Sequence, residues 1–379
     1  MPIGIDYTPA YEQGGGIGRL TRDLITALAQ LDQTNTYRLF VAGANIGNLP
    51  PAPSPQFSWR PTRITPIWLS RMWYRARLPV PVELFTGSVD LFHATDFTLP
   101  PTLPKTKTIV TVHDLSFVRA PETASPKLKA FLDAIVPASI QQANHVIADS
   151  RSTKADILDL YGVEAEKVSV VLSGIDRRYQ PISDVVRIMT IRNKYKISDV
   201  PYIFSIGTIQ PRKNYSRLIQ AMYRLRTNGY DLHLVIAGGR GWLEDEMYRT
   251  LADLHMHDVV HLIGFVDDED LAGLYSSAEC VAFPSLYEGF GFPVLEGMAC
   301  GTPVITSNIS SLPEVAGDAA LMIDPYDIDA IANAIQRVIE DSELRERLIQ
   351  KGFEQASGFT WERSARQLRA IYDQVLTDT

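Results

Sequence analysis

Cys280-Val281-Ala282-Phe283, followed by Glu288-Gly289-Phe290-Gly291-Phe292-Pro293-Val294-Leu295-Glu296, reads as a short buried strand, a glycine loop and a helix start. An apolar run of that length suits a strand covered on both faces. Pro293 suits the first helical position, where its missing N–H costs nothing. The helix runs to Ala299, and Gly301 with Pro303 stops it. The amides of Phe290, Gly291 and Phe292 can then point at an anion on the helix N-terminus. Glu288 and Glu296 bracket that loop. Together they suggest a nucleotide-sugar site, with amides on phosphate and carboxylates on sugar and ribose hydroxyls.

The same strand–loop–helix grammar runs in both directions from this point. In the first half, Ile3–Tyr7 reads as a strand, Gly14-Gly15-Gly16 as a loop, and residues 18–31 as a helix with Leu20, Leu24, Ile25, Leu28 and Leu31 at helical spacing. Further strands are expected at 37–42, 89–93, 108–113, 145–149 and 168–172. Residues 43–66 read as a long loop, and Ser150 as the cap of a helix at 152–160. The pattern lapses over 173–200 and restarts with strands at 202–207, 232–237, 259–262, 281–283, 303–306 and 321–323, with helices between them. Alternating strands and helices imply an α/β protein of two Rossmann-like parallel-sheet domains facing a cleft. The expected domains are 1–175 and 176–360. A last helix, 361–376, is expected to pack back on the first.

The chain has 379 residues and a net charge of −8. Residues 1–175 carry 16 Lys/Arg against 15 Asp/Glu, and the remainder 20 against 29. The net negative charge argues against nonspecific nucleic-acid binding, which needs a basic face. Two cysteines in apolar surroundings, Cys280 and Cys300, form no disulfide framework and fit a reducing cytosol. The N-terminus has no signal-peptide pattern, and no apolar run approaches the ~20 residues of a membrane span. Residues 66–82 interleave Trp68, Leu69, Met72, Trp73, Tyr74 and Leu78 with Arg71, Arg75 and Arg77. Two readings stand. One is an amphipathic helix lying in a membrane interface; the other is a helix packed on the domain with a solvated basic face.

Several constellations can carry chemistry. Gly207-Thr208-Ile209-Gln210-Pro211-Arg212-Lys213-Asn214 places two cations beyond a strand's carboxyl end, with Asn214 able to cap the helix from Tyr215. Phosphate sites of open α/β sheets occur there. Arg supplies a planar fork and Lys a compact charge, so together they can neutralise a diphosphate. Thr111-Val112-His113-Asp114 ends a strand, and His113 there can reach a substrate hydroxyl; a structural His–Asp pair is the plain alternative. His93 has a similar position and a weaker case. His255, His257 and His261 do not share a helical face and read as loop and surface. The glycines at 14–16 lack the G-x-G-x-x-G spacing and following acid of a dinucleotide fingerprint. Asp267-Asp268-Glu269-Asp270 suits a helix start better than a metal site.

Taken in order, the E-G-F-G-F-P-V-L-E of Glu288–Glu296, the G-T-x-x-P-R-K-N of Gly207–Asn214, the Gly15-Gly16-Ile17 loop and the V-H-D of Val112–Asp114 resemble the retaining family 4 glycosyltransferases of the GT-B fold. The resemblance spans nearly the whole chain. It implies that Glu296 holds the ribose hydroxyls and Glu288 the donor sugar. It implies that the amides of Phe290, Gly291 and Phe292 meet the diphosphate, which Arg212 and Lys213 neutralise as it leaves. Gly15 and Gly16 would approach the phosphate, His113 the hexose, and Gly264-Phe265-Val266 the base. Preorganised cations and amides can stabilise a departing diphosphate without a metal or other cofactor. Ser173 before Gly174 departs from the family, which more often has Asn there.

The P-R-K-N form looks most like mannosyltransferases using GDP-mannose. The implied partners are a nucleotide-sugar donor and a glycan or lipid-linked acceptor, met in the cytoplasm or at the inner face of the membrane through 66–82. A UDP-sugar-dependent enzyme and a catalytically silent sugar-nucleotide or lipid-binding protein are the alternatives. No lysine-bound pyridoxal motif supports a phosphorylase.

Overall fold

The structure is a computed structural model that describes residues 1–197 and 199–378. The chain divides into two compact units. One comprises Met1–Leu115, Ala130–Gly174 and Thr360–Thr379, and the other Ser116–Lys129 and Ile175–Phe359. Ser116–Lys129 thus groups with the second unit, where the Trp242 indole N–H donates to the Thr123 carbonyl at 2.9 Å.

The first unit holds seven strands: β1 (Pro2–Asp6), β2 (Thr36–Ala42), β3 (Phe57–Thr62), β4 (Leu91–Ala94), β5 (Lys107–Val112), β6 (His145–Ala148) and β7 (Val168–Val170). They form one parallel sheet in the order β3-β2-β1-β4-β5-β6-β7. A parallel sheet is covered on both faces, so its central strands are apolar throughout; Ile3, Ile5, Leu91, Phe92, Ile109 and Val110 are fully buried. The helix Gly16–Leu31 lays its Leu20, Leu24, Ile25 and Leu28 stripe inward and packs against the helix Trp361–Thr377. Chain order reverses between β1 and β4. In open sheets of this kind ligands bind beyond the strand ends at such a switch point.

The second unit repeats the plan with β8 (Tyr202–Ile206), β9 (His233–Ala237), β10 (Val260–Gly264), β11 (Cys280–Phe283), β12 (Val304–Ser307) and β13 (Ala320–Ile323). Its parallel order is β10-β9-β8-β11-β12-β13. Here the switch point lies between β8 and β11. The Gly207–Asn214 turn follows the first of these strands, and the Glu288–Glu296 loop follows the second. Sheet topology therefore sets the two motifs side by side.

Several elements differ from the sequence expectations. Residues 43–66 are not one loop: β3 lies inside them as an edge strand, where Pro61 is tolerated. Residues 66–82 are not one helix. A short helix, Pro66–Ser70, passes into a π-helical turn, Arg71–Arg75, and the chain beyond is irregular. Leu69 and Trp73 face inward, and Trp73 packs on Phe40 and Phe85 while its indole N–H donates to the Val80 carbonyl. The stretch 173–200 contains a helix, Val185–Lys194, whose Ile191 lies where a side chain on Gly273 would stand. Ser342–Ser357 is a further helix that the sequence pattern did not announce.

Candidate active site

In the second unit, Arg212 and Lys213 converge on one carboxylate. Arg212 Nη1 donates to Glu288 Oε2 at 2.8 Å and to the Tyr287 carbonyl at 2.9 Å, and Lys213 Nζ donates to Glu288 Oε1 at 2.6 Å. Lys213 Nζ also sits 4.7 Å from the centre of the Phe283 ring, at the end of β11. All three charged side chains are largely buried. Burial alone would raise the Glu288 pKa. The charges of Arg212 and Lys213 outweigh it and hold the carboxyl below its ordinary value. The cluster therefore holds two cations and one anion, a net positive site beyond the carboxyl ends of β8 and β11.

Backbone geometry keeps this cluster in place. Gly207 has φ +149, and a Cβ on it would stand 2.8 Å from Lys213 Cε, so the lysine stem needs the glycine. Gly291 has φ +122 at the entry to the helix Phe292–Ala299 and gives its loop a conformation that side chains rarely adopt. Asn214 departs from the capping expectation. It adopts the left-handed conformation (φ 61, ψ 31), makes no side-chain cap, and donates Nδ2 to the Pro284 and Pro325 carbonyls at 2.9 and 2.7 Å. It thereby ties the cation turn to the loop after β11. Ser310 Oγ accepts from the Glu288 amide at 3.0 Å, and Ser311 Oγ lies 2.9 and 2.7 Å from the Glu288 and Phe290 carbonyls. Neither serine was read as a site residue.

Glu296 lies one turn into its helix, 1% exposed, and accepts from the Tyr275 hydroxyl at 2.6 Å. Tyr275, on the helix Asp268–Ser276, holds the Glu296 carboxylate and is not among the residues that the sequence pattern singles out. Phe290 is buried, with its ring against Phe292 and Phe359. Gly264 ends β10 with φ +72, and its carbonyl accepts from Gly238 N at 2.7 Å. Phe265 beside it is exposed and Val266 buried.

The first unit has its own cluster beyond the strand ends. His113 is 4% exposed, and both ring nitrogens face acceptors: Nδ1 meets Asp149 Oδ2 at 2.8 Å and Nε2 the Thr95 carbonyl at 2.8 Å. Asp96 Oδ1 lies 3.9 Å from Nε2. Against an ionised Asp149 and a carbonyl, which only accept, both nitrogens must donate, so this pairing favours the imidazolium, although burial pushes the Asp149 and Asp96 carboxyls up. Burial would lower its pKa, but Asp149, Asp96 and the Thr95 carbonyl overcome this and raise it to about 9. His93, on β4, behaves oppositely. Held by Tyr372 Oη at 2.7 Å and Thr111 Oγ1 at 2.8 Å, it is pushed down to about 3 by burial and by the charge of His113. Burial also pushes Asp6, at the end of β1, up to about 6. Gly15 is the cap residue of the helix Gly16–Leu31, and a Cβ on it would meet nothing within 4 Å.

His261 is not on a loop: it stands on β10 and stacks on His233 of β9, Nδ1 of His233 lying 2.7 Å from its Nε2. Asp267 and Asp270 bind Lys194 at 2.7 and 2.5 Å, which fastens Asp268–Ser276 to Val185–Lys194. Both cysteines are free and buried. Among the described residues, no helix is long and apolar enough to cross a membrane.

Comparison with known proteins converges on one class. The family described as Glycosyl transferases group 1 matches residues 188–355, and that described as Glycosyltransferase Family 4 matches residues 14–179. The chain is 30% identical over 368 residues to O-antigen chain mannosyltransferase B of Escherichia coli, covering 94% of this chain and 95% of that protein. It is 32% identical over 245 residues to the MMP alpha-(1->4)-mannosyltransferase of Mycolicibacterium hassiacum, covering 62% of this chain and 55% of that one. The fold is shared with sucrose-phosphate synthase from Thermosynechococcus elongatus, with a TM-score of 0.76, 22% identity and full coverage of both chains. Two Rossmann-like parallel-sheet domains with these matches define a glycosyltransferase enzyme of the GT-B class. The chain belongs to glycosyltransferase family 4, and within it resembles the mannosyltransferases.

Proposed function

We propose that this enzyme transfers mannose from GDP-mannose, with retention at the anomeric carbon, to a hydroxyl of a glycan or lipid-linked sugar. The observation that carries the proposal is the Arg212–Lys213–Glu288 cluster at the second unit's switch point. Its surplus positive charge suits a diphosphate that gains negative charge as the sugar leaves. The mannosyltransferase names of the relatives at 30 and 32% identity support the choice of sugar. In this proposal Arg212 and Lys213 neutralise the diphosphate and the amides of Phe290, Gly291 and Phe292 meet its oxygens. Glu296, fixed by Tyr275, holds the ribose. Gly264-Phe265-Val266 holds the base through backbone groups. Glu288 contacts the mannose and gives up part of its hold on the two cations when the donor enters. In the first unit, His113 offers its Nε2 proton to a sugar hydroxyl in exchange for the Thr95 carbonyl. The cations fill the role of a divalent metal, so transfer persists in a chelator.

A donor panel tests the proposal. A ligand present at a hundred times its Kd stabilises the folded state by about 2.7 kcal/mol. The expected result is a rise of several degrees in melting temperature with GDP and GDP-mannose, little with UDP- or ADP-sugars, and an α-linked product by NMR. Stabilisation by UDP-glucose alone would reassign the donor. Stabilisation by none of them would remove the proposal.

A further inference from the structure

From Gln33 to Val82 the sequence contains no aspartate or glutamate, yet it holds Arg38, Arg60, Arg63, Arg71, Arg75 and Arg77. This is an island of positive charge in a chain of net charge −8. The first acid beyond it, Glu83, is buried and turned inward, accepting from Thr106 Oγ1 at 2.6 Å and the Leu103 amide at 3.0 Å. It does not serve the arginines as a counter-ion.

The same island carries exposed apolar side chains. Ile67 is 66% exposed and Trp68 61%, whereas Leu69 and Trp73, on the other side of the same turns, are 3 and 8% exposed. Ile67, Trp68, Arg71 and Arg75 follow one another at helical spacing on the outward face of Pro66–Ser70 and Arg71–Arg75. The Arg71 guanidinium lies 4.9 Å from the centre of the Trp68 ring. Exposed Ile64 precedes them. Exposed Ile46 joins from the neighbouring loop, where Arg63 Nε donates to Asn45 Oδ1 at 2.7 Å. All of this follows the carboxyl ends of β2 and β3, the same end of the sheet as Gly15, Gly16 and His113.

We infer that this patch docks the first unit on an anionic lipid bilayer, with Ile64, Ile67 and Trp68 entering the interface and Arg63, Arg71 and Arg75 meeting headgroups. An indole and isoleucines standing in water beside arginines have the composition of an interfacial surface. A free phosphate would use the arginines and leave the apolar side chains without purpose. Each arginine near a negatively charged leaflet contributes roughly a fivefold gain in partitioning. The docking inference stands on the patch alone. Its consequence, that the acceptor hydroxyl is presented on a lipid carrier at the carboxyl end of the first sheet, rests on the glycosyl-transfer reading above.

The test is co-sedimentation of the full chain, without any nucleotide sugar, with phosphatidylcholine vesicles that lack or contain phosphatidylglycerol. Wild type is expected to pellet with the anionic vesicles and remain in solution with the neutral ones. Ile67→Ser/Trp68→Ser and Arg71→Glu/Arg75→Glu should each weaken partitioning at least about tenfold. Their melting temperatures should stay unchanged, because the replaced side chains are exposed. Val186→Ser, an exposed apolar change in the second unit, should pellet like wild type. Wild type left in the supernatant at low salt, equal pelleting with neutral vesicles, or either double variant pelleting like wild type would each overturn the inference.

Discussion

The carboxyl ends of the two sheets are built with opposite charge logic. In the second unit two cations, Arg212 and Lys213, surround one carboxylate, Glu288, and the carboxyl is driven down. In the first unit Asp149 and Asp96 surround one imidazolium, His113, and its pKa is driven up to about 9. One fold plan, repeated, thus yields a site rich in cations and a site rich in carboxyl groups, the latter with Asp149 and Asp96 pushed up by burial. In the proposed reaction a diphosphate uses the cations of the one, and sugar hydroxyls use the polar groups of the other.

The largest expected effect comes from breaking the cation-rich side. Lys213→Ala should lower kcat for transfer by about 10²–10³, the scale of losing one donor to a charge that develops in the transition state. It leaves Glu288 with Arg212 as partner, so the fold should survive a thermal melt. Near-wild-type turnover would remove Lys213 from the site. Glu288→Gln sharpens the contrast, because it keeps the shape and deletes the anion. Transfer should fall about 10²-fold or more in steady-state assays.

The acidic side is expected to show in stability before activity. The raised pKa of His113 means that its contribution is complete below about pH 6.5 and is lost as pH rises through about 9. Denaturation midpoints of wild type should therefore fall across that window, and Asp149→Asn should flatten the fall; parallel curves would contradict the ion-pair account. In the cation cluster the sign reverses. Glu288 stabilises above its unfolded pKa, and its contribution fades as pH drops below about 4.5. The smallest effect is Tyr275→Phe. It removes one hydrogen bond to Glu296, worth about 1 kcal/mol, and should raise the KM for donor several-fold with kcat retained. A fall in kcat at unchanged KM would count against a positioning role.

The alternation that defines the fold was legible because central parallel strands are continuous apolar runs and their helices carry leucine and isoleucine stripes. What escaped reading is what lacks such a run. β3 spans Phe57–Thr62 with Arg60 and Pro61 inside it, and an edge strand needs only one good face. The helix Val185–Lys194 exposes Val185, Val186 and Met189 and buries Ile191, so its pattern points the wrong way. The charged members of the second-unit site were visible as motif residues, but their mutual bonding was not, since 75 or 76 residues separate the partners. Asp149 had a usable signal: it ends the strand next to that of His113, and parallel register brings such ends together. Tyr275 and the seryl hydroxyls of Ser310 and Ser311 gave none.

The most direct measurement of the central claim is a calorimetric titration of GDP into wild type, Lys213→Ala and Glu288→Gln. If the second unit's cations hold the diphosphate and Glu288 is the anion they release to it, Lys213→Ala weakens GDP at least about tenfold, the scale of a charge-assisted contact. Glu288→Gln then binds GDP as tightly as wild type or more so. Equal affinity for wild type and Lys213→Ala, or a loss of GDP binding in Glu288→Gln alone, would contradict the account.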